Sequence, residues 1–275
     1  MFSSNAFAAV SGSLPAGFMQ WYVALMILAV IVGTILDMVH KGSAKFFFAN
    51  ARKSRAQGKP VDKASIAVKT LAVDVLASGE FCNPRRRVAH LLTMYGFILY
   101  VATTAIMVFV YPTAATPTPA LVSQLWWLGG LMVMVGGYWF WFFIRVDVAA
   151  EGSSPLRLMR ADLFILSLLA SVTAGLLWAW LQASGSAASW VFFGLYLLAT
   201  TVLFGGVYWS KFAHMFFKPA AAFDKRLAEA DGTNMNLPLV SRDDPAQRER
   251  HSMELLRDAP MDMGLGIKRE APRHY

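Results

Sequence analysis

Three long runs of this chain hold no Asp, Glu, Lys or Arg: residues 1–36, 88–144 and 163–210. A water-soluble domain spreads charge along its length, roughly a quarter of all residues, because it must cover itself with polar surface. Here 15% of residues are charged and 56% are hydrophobic. The deficit falls in blocks, so these blocks must meet hydrocarbon instead of water. A helix needs about 20 apolar residues to cross that layer, and only a helix satisfies all its backbone polar groups within one such segment. Cutting the runs at their Pro, Gly and Ser clusters gives five segments, at 19–39, 88–111, 121–144, 161–182 and 188–209. The cut at PTAATPTPA (112–120) is set by prolines, which a helix interior does not tolerate. The cut at ASGSA (183–187) is set by length, since one helix across it would be about twice too long. The fold class expected is therefore all-α, an integral membrane bundle of about five transmembrane helices.

The basic residues orient that bundle. Residues 40–87 carry eleven Lys and Arg against three acids. The third-to-fourth connection holds Arg145, Arg157 and Arg160, and the chain after the fifth segment opens with Lys211 and Lys218. The N-terminal arm and the two Pro/Thr/Ser loops hold none. Basic loops stay in the cytoplasm, so the N-terminus is expected outside and the C-terminus inside, in the inner membrane of the cell. This topology also accounts for the net charge of +8, which otherwise suggests nucleic acid; no nucleic-acid partner is expected. No Lys or Arg precedes the first segment, so it reads as a retained helix and not as a cleaved signal peptide. Cys82 is the one cysteine, too few for an internal disulfide or for an iron–sulfur cluster held by this chain alone.

The organisation expected is an outer arm (1–18), a five-helix bundle (19–218) with a basic cytoplasmic loop (40–87), and a cytoplasmic tail (219–275). Within the loop, Ser65–Ser78 reads as a short amphipathic helix, either lying at the interface or packed on the bundle. In the tail, AAAFDKRLAEA extends as a helix. The remainder, part of a tail with nine basic and ten acidic residues and scattered prolines, lacks apolar periodicity and reads as mostly disordered. Glycine pairs at 129–130, 136–137 and 205–206 fall inside the apolar segments, where they let helices, or a flat cofactor, approach closely.

Phosphate-cradling glycine loops, paired carboxylates within the membrane and Cys/His zinc spacing are all absent from the sequence. The chemistry rests on histidines. His251 and His274 lie in the tail. His40, His90 and His214 all fall at cytoplasmic helix ends, on the first, second and fifth segments. The second and fifth segments run antiparallel, which puts His90 and His214 at about the same depth. Two readings of that pair stand on geometry. They are axial ligands of one haem iron, with Arg85, Arg86, Arg87 and Lys211 offering cations to the propionates, or they are interfacial histidines that hydrogen-bond and snorkel. The haem reading requires the fifth helix to continue to about Phe217.

The stretch CNPRRRVAHLLTMYGFILYVATTAIM (82–107) resembles the second helix of membrane cytochrome b subunits of the nitrate reductase gamma and heterodisulfide reductase E type. YWSKFAHMFFKP (208–219) resembles the end of the fifth helix in the same group. The resemblance covers roughly residues 19–219 and extends to the membrane anchor subunits associated with adenylylsulfate reductase. It implies that His90 and His214 ligate one haem b. The positions of a second, outer haem are Tyr100 and Tyr196 here, so an outer haem is not expected. The implied function is a non-catalytic anchor and electron-transfer subunit linking a cytoplasmic oxidoreductase, adenylylsulfate reductase of sulfur metabolism, to the quinone pool. His40 with Asp37 is the candidate pair for quinone and proton exchange; an Asp37–Lys41 ion pair is the plainer use of that acid. A haem-less scaffold that recruits the reductase is the alternative. A small transporter is a second alternative, disfavoured because no charge lies between the interfaces.

Overall fold

The computed structural model describes residues 2–42, 45, 47–49, 52, 59–79, 81, 83–147 and 152–233. Eight α-helices occur among them, and no strand. They are α1 (Ala6–Val10), α2 (Ala16–Lys41), α3 (Lys63–Lys69), α4 (Pro84–Phe109), α5 (Ala120–Trp139), α6 (Leu163–Ala183), α7 (Ser189–Gly205) and α8 (His214–Asp231). The chain divides into two compact units. One holds the described residues of Met1–Phe46 and Asn83–Lys218, the other those of Phe47–Cys82 and Pro219–Tyr275.

In the first unit, four helical stretches are long and apolar enough to cross a membrane: Ala16–His40, Pro84–Phe109, Ala120–Ile144 and Arg160–Ala183. This is a multi-pass membrane protein. The helix ends follow local chemistry. Asn83 caps α4, its side chain accepting from the N–H groups of Arg85 and Arg86, and Pro84 fills the first helical position, where a missing N–H costs nothing. α2 stops at Gly42, whose φ of 64° is the left-handed conformation glycine adopts most easily. Pro15 and Pro119 stand just before α2 and α5. α5 continues as a π-helical turn over Phe140–Ile144.

The fifth apolar helix, α7, is shorter than its sequence suggests. It spans 17 residues and ends at the Gly205–Gly206 pair, not at Trp209. Turns follow over residues 206–213 before α8 begins at His214. The apolar run from Ala188 to Trp209 concealed this break because Val207 is itself fully buried.

Glycine sets the closest helix contacts. A Cβ on Gly129 would lie 2.7 Å from the Tyr100 backbone nitrogen, and one on Gly136 would lie 2.6 Å from the Ala89 carbonyl. Gly130 and Gly137 face Leu176 and Leu169 of α6. The contacts pair early α4 with late α5 and early α5 with late α6, so these neighbours run antiparallel. α6 and α7 do too: Ser171 and Thr200 share a hydrogen bond of 2.7 Å, while Trp178 stacks on Tyr196. α2 runs parallel to α7, the Tyr22 hydroxyl donating to the Leu197 carbonyl at 2.8 Å and Gly33 abutting Val207. Polar bonds of this kind hold helices together where burial against lipid gives little drive.

The up-and-down path places Arg85–Arg87, Arg145, Arg157, Arg160 and Lys211 at one end of the bundle, called here the basic end. The other end is capped by the N-terminal arm. Asn5 donates to the Tyr111 carbonyl at 2.9 Å and to Thr118 at 2.9 Å. Phe7 inserts among Trp126, Trp178 and Tyr196. Exposed Trp21, Trp180 and Trp190 ring this end, as amphipathic rings do at a membrane boundary.

The second unit joins the loop to the tail. α3 continues as a π-helical stretch, Thr70–Leu76. Asp74 on it accepts a bidentate pair of bonds from Arg226 of α8, one of them 2.9 Å long. The Lys59 amide donates to the Asp231 carbonyl at 3.0 Å. Arg226 holds the Asp74 carboxyl below the usual aspartate range, by hydrogen bonding first and by charge second. Cys82 and tail residues 234–275, including His251 and His274, lie outside the described residues.

Candidate functional site

His90 is half-buried in the second turn of α4. Phe97 lies seven residues later, on the same face of the helix. Its ring meets Phe204 at 6.5 Å and Phe212 at 6.4 Å. His214 opens α8, half-buried. Its ring stands edge-on to Phe164 at 5.8 Å, and its Nδ1 lies against the Lys211 carbonyl. Phe164 also packs on Phe212 at 5.5 Å. The basic end therefore holds both histidines, His214 through Phe164 beside Phe212. It does so without the expected frame, because His214 follows the break after α7 and does not continue that helix.

The cations read as propionate partners occupy the same end. Arg86 and Arg87 are half-buried in the first turn of α4, while Arg85 and Lys211 are exposed. Three arginines beside the positive end of a helix dipole raise the local potential, so an anion is favoured there whatever its source.

The donor chemistry suits haem. Phe97, Phe164 and Phe204 each pack against Phe212, an aromatic cluster at the same end of the bundle. The glycine pairs of α5 meet neighbouring helices, and Gly206 has the Leu163 side chain 3.3 Å from where its Cβ would be. A cleft of about 10 Å³ lies at the opposite end, between α1, α2 and α4, room for about one water.

Tyr100 and Tyr196 are buried deeper in the bundle. Tyr100 stacks on Trp126 with centroids 4.9 Å apart, and Tyr196 stacks on Trp178 at 5.6 Å. With Phe7 and Phe193 they fill the uncharged half of the core.

His40 is exposed at the last turn of α2, edge-on to Tyr208 at 5.8 Å. Asp37 lies between the two contacts that α2 makes with this segment, Gly33 on Val207 and His40 on Tyr208, and is 1% exposed. The structure thus puts Asp37 against the unwound stretch after α7, although its ring neighbour His40 faces outward. The Lys41 side chain is outside the described residues.

Sequence reading passed over the strongest polar cluster at this end. Arg145, fully buried, donates to the Asp162 carboxylate at 2.6 Å, to the Ser154 carbonyl at 2.6 Å and to the Arg157 carbonyl at 2.7 Å. Its guanidinium lies 4.2 Å from the Trp141 ring centroid. The same Asp162 oxygen accepts from the Met159 amide at 2.9 Å. The available signal was an Arg closing one span and an Asp opening the next. No family model, no curated protein and no solved structure matches this chain.

Proposed function

We propose that this chain is a membrane anchor that recruits a cytoplasmic oxidoreductase to the inner membrane, where lipid-dissolved quinone is within reach. By the resemblance of residues 82–107 and 208–219, the recruited enzyme is adenylylsulfate reductase. The observation that carries the proposal is the asymmetry of the bundle. Every described basic residue of the first unit lies at one end, and both polar stretches that build the second unit are attached to segments leaving that end. In this reading that end faces the cytoplasm, the N-terminal arm faces outward, and the second unit is the handle the reductase holds. His40 and Asp37 would be the ionisable pair of α2 nearest a quinone entering from the cytoplasmic leaflet.

In this reading the anchor carries no haem. Full-length protein in vesicles should retain added adenylylsulfate reductase at low salt. A chain ending at Lys218 should not retain it, although it should still insert. The purified protein should be colourless in a dithionite-reduced spectrum. Low-spin b-type bands that vanish in His90→Ala and in His214→Ala would replace this reading with a haem-bearing one. Failure to retain the reductase would end the anchor reading in either form.

A further inference from the structure

The connection between α5 and α6 presents an unusual surface. Leu156 is 90% exposed, Leu158 67% and Met159 41%, and the interleaved Arg157 and Arg160 are exposed as well. Apolar side chains this accessible on a loop normally collapse against their own protein. Here Arg145 prevents it. By binding the carbonyls of Ser154 and Arg157, and with Asp162 taking the Met159 amide, it fixes the backbone on both sides of Leu156. Two further bonds, Ser153 N to the Arg145 carbonyl at 3.0 Å and Gly152 N to the Asp147 carbonyl at 2.9 Å, tie down the start of the loop. The loop is held open, with Leu156, Leu158 and Met159 turned out.

We infer that this clamped loop is an interfacial anchor, its leucines and methionine dipping into the adjoining leaflet while Arg157 and Arg160 bind the phosphates of anionic lipids. Three observations select lipid as the occupant. The loop joins two membrane-crossing helices directly, so it emerges at the headgroup level. Phe142 and Phe143, in the π-helical turn that closes the preceding span, are exposed as well (51% and 70%). The loop's exposed stretch 156–160 carries Arg157 and Arg160 and no acid, and an anionic cytoplasmic surface attracts each juxtamembrane Lys or Arg. Because the clamp has already fixed the backbone, insertion loses little conformational freedom.

The test uses the full chain in nanodiscs of phosphatidylcholine, with and without phosphatidylglycerol. An environment-sensitive dye on Leu156→Cys, in a Cys82→Ser background, should be blue-shifted and quenched by shallow spin-labelled lipid. The same dye on Thr116→Cys, in the exposed loop of the other end, should be neither. Phosphatidylglycerol should deepen the quenching. In unlabelled protein, Arg157→Gln with Arg160→Gln should lower co-purified anionic lipid by up to roughly thirtyfold, the loss expected of two surface cations at about 1 kcal/mol each. Leu156 is too exposed for its replacement to threaten folding. A water-accessible, unquenched dye in both compositions overturns the proposal. So does a dye protected only when a soluble protein is added, which would make the loop a protein-docking surface. Unchanged lipid retention in the double variant removes the arginines from it.

Discussion

Asp162 neutralises the one fully buried arginine described in the chain, and its loss should be felt more than that of any surface acid. Asp162→Ala strands Arg145 in a low-dielectric site, where breaking one half of a buried pair costs about 3–5 kcal/mol. Thermal unfolding in detergent should show that loss. Replacing Asp224, which is half-buried on α8, should cost far less, as exposed and partly exposed charges do. Glycine is the second sensitive residue type. Gly129→Leu would drive a side chain into the Tyr100 backbone and separate α4 from α5, whereas Gly194→Leu meets open space and should be neutral. At this scale the sequence was partly legible. Glycine pairs in α5 announced close packing. The partners of Arg145 were not legible, because two of the three are backbone carbonyls of a loop with no pattern of its own.

Among the elements, the contact between α3 and α8 makes a pH-dependent claim. The Asp74 carboxyl sits below its ordinary value because Arg226 bonds it, so its contribution is present at neutral pH and above. That contribution is lost as pH falls below the usual aspartate range, about pH 4. Amide protection over residues 63–76, measured relative to intrinsic exchange rates, should therefore fall in acid, and Asp74→Asn should lower it at neutral pH as well. Neither change should alter protection in α4. Asn83→Ala removes the cap of α4 and should cost about 1 kcal/mol. The spans were readable because lipid imposes both length and apolarity on them. The ending of α7 was not readable. Val207 and Phe212 are as apolar as a transmembrane helix requires, and a helical and an unwound stretch look alike in composition when both are buried by neighbours. The meeting of α3 with α8 was also hidden, since it joins segments about 150 residues apart through one ion pair.

For the whole molecule, reporter fusions after residue 42, after residue 147 and at the C-terminus should all report the cytoplasm. A fusion after Thr116 should report the outside. One inverted reporter would undo the orientation, and the proposed function with it. Charge placement is what predicts this arrangement, because translocation responds to Lys and Arg in short loops. What it could not show is how the bundle is filled. The arm before α2 looked like an outer extension and instead lends Phe7 to the aromatic core.

The shortness of α7 has a physical consequence for the bilayer around it. Seventeen residues rise about 26 Å, a few Å less than an average hydrocarbon core of about 30 Å. α2, its parallel neighbour, has 26 residues and spans the layer with length to spare. In the proposed five-span topology, the lipid next to α7 thins or the protein leans, each at a fraction of a kcal/mol per Å of mismatch. Acyl-chain length thereby becomes a variable to which this protein responds. Its stability in reconstituted bilayers should peak in chains shorter than those that best suit α2.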